Sequence, residues 1–427
     1  MNLADGTIMN IEGADEIAAE LSARVTETME KAPLNPETVI NACDRLINSF
    51  DEKKYVRLMG EMGIDGQTAS GNIIKIRDTF NSAYLKARLE RELGGYGIQD
   101  YVPWDRQIAV SEMRSPLGCI LHISAGNVDG LPAFSIIESL LAGNVSILKL
   151  PEEDNGISVL ILHDLVTIEP RLSEYIYVFD YSSRDEKSIK RLIDAADAVA
   201  VWGSDETVRA MRKLVPPNVK LIEWGHKLSF AYVTQKGITD DNLKGLAEHI
   251  CETNQLLCSS CQGMYVDTEE LDTVIGFCER FMPILEDTAR RHYTSSDIAV
   301  AARVSLVLRY ESLESLYAHR RIFRGKHSSI IAYGDSKLEP SIQHRNCWAR
   351  PLPRSKAVKV LRPYKSTLQT VGILCSDDER AELYEMFAKT GAVRVSSARA
   401  MSEDYCGGAH DGMYPLRRYT KLVALDV

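Results

Sequence analysis

The stretch Asn254-Gln255-Leu256-Leu257-Cys258-Ser259-Ser260-Cys261-Gln262-Gly263 carries the residues of this chain best suited to chemistry. Helical spacing over 239–255 runs out there, and the apolar run 263–266 that follows reads as a strand. Cys258 therefore falls in a tight joint between two elements. A thiol in such a joint can attack a carbonyl carbon, because backbone N–H groups of the turn can receive the negative charge that develops on the carbonyl oxygen. Other readings of the same residues exist. Cysteine commonly packs as a small apolar side chain, and Cys258-x-x-Cys261 also suits a redox pair or, together with His344-x-x-Cys347, a zinc site.

The elements that must position this joint come in two groups. Residues 118–123 read as a strand ending in the loop Ser124-Ala125-Gly126-Asn127-Val128-Asp129-Gly130, followed by a helix over 131–142 and a second strand over 145–150. The alternation continues with helix 157–167, strand 175–179, helix 187–194, strand 198–202, helix 205–214 and strand 220–223. Repeated strand and helix alternation predicts a doubly wound parallel sheet, which binds ligands at the carboxyl ends of its strands. The fingerprint Gly-x-Gly-x-x-Gly is absent, so a nucleotide would be held by a different arrangement. Residues 15–93 read as helical scaffold with a break at 33–36, and 101–109 as part of a hairpin. A second α/β region follows residue 225, with strands at 229–233, 263–266, 329–332, 357–361 and 370–374, helices at 269–291, 296–317 and 377–390, and a terminal strand at 422–425.

Composition narrows the function classes. The 427 residues are 45 % apolar, enough for two or three buried cores, and the net charge of -10 argues against a nucleic-acid binder. Nine cysteines, an odd and scattered set, make no disulfide framework, and with no signal peptide evident the expectation is a cytoplasmic protein with reduced thiols. The longest stretch poor in charge is broken by prolines and glycines, so no membrane helix is expected. Basic residues concentrate at 319–327 and 345–365. They read as a solvated face or as a landing site for phosphates.

The order of these pieces resembles the aldehyde dehydrogenase superfamily: Ser115-Pro116-Leu117-Gly118 opening a strand, Asn127 in the next loop, Lys149 ending a strand, Gly203-Ser204 starting a helix, Glu223-Trp224-Gly225-His226-Lys227, and then a cysteine. The decapeptide around Cys258 and the ending Ala409-His410-Asp411-Gly412 to Ala424 resemble more closely the LuxC-type acyl-CoA reductases of bacterial bioluminescence. The resemblance implies an aldehyde dehydrogenase-like α/β fold. It divides into a doubly wound cofactor-binding domain with N-terminal helices over 1–226, a catalytic thiol domain over 227–403, and a small oligomerisation strand element at 404–427 that works with 101–115.

It also implies an activity: reduction of an acyl-CoA thioester to an aldehyde by NADH or NADPH through an acyl-cysteine. Cys258 would be the nucleophile, Asn127 an oxyanion donor and Glu223 a general base or proton carrier. Ser124, Lys149, Glu152, Gly203, Ser204 and Gly225 would line the cofactor. Glu152 would lie near the adenosine ribose, where a 2′-phosphate would be repelled, which favours NADH although the luminescence enzymes use NADPH. Coenzyme A enters as part of the substrate, no metal is expected, and a homo-oligomer and acyl-transfer partner enzymes are implied. Cys261 stands where the family usually has proline, so a Cys258–Cys261 disulfide is conceivable. The alternatives are a metal or redox protein built on the cysteine pair, an aldehyde dehydrogenase working oxidatively, and a scaffold without activity.

Overall fold

The computed structural model describes residues 1–61, 66–94, 101–105, 110–124, 130–154, 156–292, 298–315, 320–403 and 406–426. The chain forms two compact units, one of residues 1–225 with 405–427 and the other of residues 226–404.

The first unit begins with a short hairpin, β1 (Asn2–Ala4) and β2 (Thr7–Met9), then five helices: α1 (Ile11–Glu30), α2 (Pro36–Asn48), α3 (Glu52–Glu61), α4 (Gly66–Phe80) and α5 (Ser82–Leu93). Asn10, Asn35 and Asn81 cap α1, α2 and α5 with their side-chain oxygens, which explains why these helices start where they do. Strands β3 (Tyr101–Asp105) and β4 (Val110–Pro116) precede the alternating part: β5 (Cys119–Ile123), α6 (Leu131–Leu141), β6 (Val145–Lys149), α7 (Ile157–Ile168), β7 (Ile176–Phe179), α8 (Glu186–Asp194), β8 (Ala198–Trp202), α9 (Asp205–Leu214) and β9 (Lys220–Trp224).

Their sheet has the order β2-β1-β7-β6-β5-β8-β9, with β5 to β9 parallel and the N-terminal hairpin added antiparallel at one edge. Strand order reverses at β5, so the crevice of this sheet lies at the carboxyl ends of β5 and β8. Gly118 opens β5 at a φ of 135°, and a Cβ there would come within 2.0 Å of Asp197, so only glycine fits.

The second unit contains β10 (Leu228–Val233), α10 (Asp240–Thr253), β11 (Cys261–Val266), α11 (Leu271–Arg291), α12 (Ile298–Glu314), β12 (Arg320–Arg324), β13 (Ser329–Tyr333), β14 (Asn346–Pro351), α13 (Arg354–Leu361), β15 (Leu368–Leu374), α14 (Arg380–Thr390) and β16 (Arg394–Ser397). The sheet order is β12-β13-β14-β11-β10-β15-β16, parallel except for β12. Thr239 caps α10, and Leu243, Leu246, Ala247 and Ile250 recur at helical spacing to bury one face in the core that also holds Val274, Phe277, Phe281 and Leu285 of α11. Burying a leucine of this kind contributes about 2 kcal/mol. That packing sets the direction in which α10 delivers the chain to Cys258.

The chain returns to the first unit through α15 (Pro415–Arg418) and β17 (Thr420–Asp426). β17 pairs antiparallel with β4, and β4 with β3, giving a third sheet of order β17-β4-β3.

The aldehyde dehydrogenase-like α/β fold expected from the sequence is the fold observed, with one element reassigned and several added. Residues 357–361, expected as a strand, are the end of α13. Pro353 opens that helix, and Ala357 and Leu361, four residues apart, are both fully buried on one face. β14 escaped because Asn346 opens it and Arg350 and Pro351 close it, so its short sequence does not read as an apolar strand. The structure buries that arginine by pairing it with Asp335 and Glu339 and laying its guanidinium 4.1 Å from the centre of the Tyr333 ring. β12 carries three arginines and is tolerated as the edge of its sheet.

Candidate active site

α10 ends at Asn254, which has a φ of 48°, and the next residue, Gln255, has a φ of 62°. Two consecutive left-handed residues turn the chain sharply, at about 1–2 kcal/mol each for residues other than glycine. Residues 257–260 then form a tight turn. Ser260 N donates to Leu257 O at 3.0 Å and Leu257 N donates to Ser260 Oγ at 3.0 Å. Cys258 lies on this turn at the amino end of β11, and of the nine cysteines it is the one classed as exposed.

A buried polar network fixes the turn from beneath. Gln255 is fully buried; its Nε2 donates to Cys261 O at 2.9 Å, and its Oε1 accepts from Asn346 N at 3.1 Å. Gln262 answers in the other direction, donating to Gln255 O at 3.0 Å and accepting from Ser341 N and Oγ at 3.1 and 2.9 Å. Ser229 Oγ donates to the carbonyl oxygen of Cys258 at 2.7 Å and accepts from Thr370 N at 3.0 Å, which ties the turn to β10 and β15. His249 Nε2 accepts from Cys261 N at 3.1 Å; burial, with Arg394 adding to it, lowers its pKa to about 4, so it serves as a neutral acceptor. Gln343, His344 and Arg345 form a second left-handed run, and His344 N donates to Asn254 O at 2.9 Å. The two strained segments thus hold each other, as strained backbone must be held to persist.

The other thiols are placed for packing. Cys261 and Cys347 belong to the core shared with α10 and α11, and burial pushes the Cys261 thiol up to about 12. Gln255 Nε2 also contacts Cys347 Sγ at 3.3 Å. Cys258 and Cys261 therefore point to different surroundings, and no disulfide joins them. The zinc-like set of Cys258, Cys261, His344 and Cys347 is not assembled: among the described residues no three His, Cys, Asp or Glu side chains gather as metal ligands.

In the first unit the expected cofactor residues gather at the carboxyl edge of the sheet. Ser124 follows β5 and is buried, and Lys149 ends β6, also buried, with Nζ donating to Ser183 Oγ at 2.9 Å. Gly203 and Ser204 follow β8, where Ser204 Oγ accepts from Thr207 N at 3.3 Å and so caps α9. Glu152 is exposed on the short turn after β6, while Asp154, two residues on, is committed to Ser158, its Oδ1 accepting from the backbone N at 3.0 Å. Gly225 ends the unit, and a Cβ there would meet nothing closer than 3.7 Å. Asn127 lies outside the described residues.

Glu223 has a partner the sequence did not announce. Arg212 of α9 grips it bidentately, Nε on Oε1 and Nη2 on Oε2, the latter at 2.6 Å. The pair is partly exposed, and each carboxylate oxygen keeps a second lone pair, so Arg212 orients Glu223 without occupying all of its acceptor sites.

Three of the seven basic residues at 345–365 are paired with carboxylates. Arg350 is paired as described, Arg354 contacts Asp267, Glu379 and Glu382, and Lys356 meets Glu269. A phosphate would have to displace these carboxylates.

A model of the acyl-CoA reductase (LuxC) family matches residues 32–422. The chain belongs to that family. Among characterised relatives, this LuxC-family chain is 24 % identical over 320 residues to long-chain acyl-protein thioester reductase 2 of Photobacterium leiognathi, covering 72 % of this chain and 64 % of that protein. It is 25 % identical over 346 residues to the long-chain acyl-protein thioester reductase of Photobacterium phosphoreum, covering 79 % and 68 %. The matched region thus spans about two thirds of the length of these relatives. The fold is similar to that of a NAD-dependent aldehyde dehydrogenase from Sinorhizobium meliloti, with a TM-score of 0.76 at 15 % identity over 100 % of this chain and 94 % of that one.

Sequence reasoning on the LuxC-family chain missed Ser229, Asn346 and the role of Gln255 and Gln262. The two glutamines did carry a signal, since polar amides flanking an otherwise apolar strand start are expensive to bury unless they are bonded. Ser229 and Asn346 carried none, because their partners lie far away along the chain.

Proposed function

We propose that the protein reduces the acyl group of a thioester, acyl-CoA foremost, to an aldehyde through an acyl-cysteine at Cys258, with NADH or NADPH as reductant. The observation that carries this is the placement of Cys258: the exposed thiol of the nine, on a turn fixed from below by Gln255, Gln262 and Ser229. Family membership supports the substrate class, as do the relatives named as acyl-protein thioester reductases.

In the first step Cys258 Sγ bonds to the thioester carbonyl carbon, the bond from that carbon to the coenzyme A sulfur breaks, and the proton of the Cys258 thiol leaves with coenzyme A. The oxyanion formed on the way is assigned to the Asn127 amide and the Cys258 N–H. Losing one such donor typically raises the barrier by about 3 kcal/mol.

The carboxyl edge of the first sheet suits a dinucleotide. Lys149 offers a buried cation there, and the indole N–H groups of Trp202 and Trp224, at the ends of β8 and β9, are buried with no acceptor among the described residues. Lys149 and Glu152 would hold the adenosine ribose, Ser124, Gly203 and Ser204 the diphosphate, and Gly225 the far end. A bound reduced nicotinamide supplies a hydride. Glu152 weighs toward NADH. In the reductive direction no water has to be activated, so Glu223 is assigned at most a proton-carrying role there.

The cofactor role is assigned to residues 1–226, the thiol role to 227–403 and oligomer contact to 404–427 with 101–115. β17 is an outer strand with Leu422, Val423 and Leu425 exposed, so a second copy of the chain is the proposed occupant. Acyl-transfer enzymes are proposed partners, and the cytoplasm the proposed compartment; among the described residues no helix is long and apolar enough to cross a membrane.

The test is intact mass after incubation with octanoyl-CoA in the absence of reductant. One acyl adduct is expected, mapping to the Cys258 peptide, abolished in Cys258→Ala and retained in Cys261→Ala. Acylation of Cys258→Ala overturns the assignment.

A further inference from the structure

The helix α12 and the edge strand β12 make a face of the second unit that the proposed reaction leaves unused. α12 is apolar on two sides. Val300, Val304 and Leu308, four residues apart, share one side, half-buried to fully buried. Ala299, Ala302, Leu306, Tyr310 and Leu313, three or four residues apart, line the other side and are all exposed. Leu306, Tyr310 and Leu313 are 71 %, 60 % and 65 % exposed. A helix with apolar residues all round is normally covered on every side, whereas this outer side stands in solvent.

The charge beside that side is basic. Residues 298–327 hold six Lys and Arg against two acids, Glu311 and Glu314, in a chain whose net charge is -10. Arg320 of β12 meets both acids, pairing with Glu311 through Nη1 and lying 3.8 Å from Glu314 through Nη2. That contact sets α12 against the face of β12 that carries Arg320, and strand alternation puts exposed Arg324 on the same face. Arg321 and Phe323 take the opposite face, where Arg321 pairs with Glu279 of α11 at 3.1 Å and Phe323 packs on the core that α11 shares. On α12 itself, exposed Arg303 and Arg309 flank the apolar stripe, one on each side, and Arg303 also donates to Ile342 O at 3.4 Å. The basic cluster at 319–327 thus adjoins an uncovered apolar helix side.

We propose that this face seats on an anionic lipid surface. α12 lies in the plane of the headgroups, with Leu306, Tyr310 and Leu313 entering the apolar layer and Arg303, Arg309 and Arg324 meeting lipid phosphates. Apolar side chains set between cations suit a layer that is anionic at its surface and apolar beneath. The helix has 17 residues, short of the roughly 20 apolar ones a span requires, and its arginines flank the stripe, so it rests on the layer and does not cross it. A second copy of the chain fits this face less well, since it would bring arginines against arginines.

The test is co-sedimentation of the full chain with vesicles of phosphatidylcholine alone or of equal parts phosphatidylcholine and phosphatidylglycerol. The wild type is expected to bind the mixed vesicles at least tenfold more than the neutral ones and to be released as salt is raised. Leu306→Glu with Leu313→Glu, and separately Arg309→Glu with Arg324→Glu, are each expected to bind the mixed vesicles at least tenfold less while keeping the wild-type thermal transition. Leu306→Trp is expected to add a tryptophan emission that moves to shorter wavelength on mixing, which reports entry into the apolar layer. A wild type that stays in solution with the mixed vesicles, a Leu306→Trp emission that does not move, or either double variant binding as the wild type does overturns the proposal. A wild type that ignores the vesicles but forms a larger assembly, lost in Leu306→Glu with Leu313→Glu, overturns it in favour of a second copy on this face.

Discussion

Gln255 Nε2 donates to the carbonyl oxygen of Cys261 at 2.9 Å, so one fully buried amide spans the turn that carries Cys258. The same amide accepts from Asn346 N, joining the turn to the strand next to β11. Gln255→Ala strands two buried backbone groups, each costing about 1–3 kcal/mol when left unbonded. The expected result is a loss of about 3 kcal/mol in chemical denaturation and at least a tenfold slower release of coenzyme A from an acyl-CoA. Gln255→Glu keeps the acceptor for Asn346 and loses the donor to Cys261, so it should be slow as well. Wild-type acylation in both variants would show that the network does not position the thiol.

The Glu223–Arg212 pair makes its own prediction. Reduction of a thioester needs no activated water, so Glu223→Gln should change acyl-CoA reduction by no more than about threefold. A loss of several hundredfold, measured as NADH oxidation at saturating substrate, would place Glu223 in the chemistry.

Cofactor choice turns on Glu152, exposed on the turn that follows β6 and three residues beyond buried Lys149. Two unit charges about 4 Å apart interact by about 4 kcal/mol at an effective dielectric of 20, enough to disfavour a 2′-phosphate. The wild type is expected to prefer NADH in kcat/KM, and Glu152→Gln to narrow the preference by improving use of NADPH. A wild-type preference for NADPH, untouched by the substitution, would show that this carboxylate does not reach the ribose.

Acid should destabilise the fold through two histidines. Burial lowers the pKa of His122 to about 3, and burial together with Arg394 lowers that of His249 to about 4. Below about pH 6.5 the unfolded chain binds protons at both rings while the folded chain refuses them. Their contribution is therefore complete above pH 6.5 and is lost as pH falls toward 4, each ring adding a slope of about 1.4 kcal/mol per pH unit. His249→Gln, which retains an acceptor for Cys261 N, should flatten the slope between pH 6 and 4.5 in urea titrations. An equal slope in wild type and variant would mean that the ring takes up its proton in the folded state.

The sequence by itself determined the helical character of the N-terminal scaffold, the βα alternation and its parallel sheet, and the family, because these rest on periodicity and the local order of motifs. It also singled out Cys258, since a cysteine between a helix end and a strand is a local feature. Tertiary structure alone decided which thiol is exposed: Cys258 and Cys261 are three residues apart, and only the direction of β11 sends one into the core and leaves the other out. It decided that Glu223 is held by an arginine from the preceding helix, that residues 357–361 bury a helix face, and that Arg350 could lie in a central strand. Each depends on a partner brought from elsewhere in the fold, and burial of a charge or amide follows its bonding partners rather than its place in the chain.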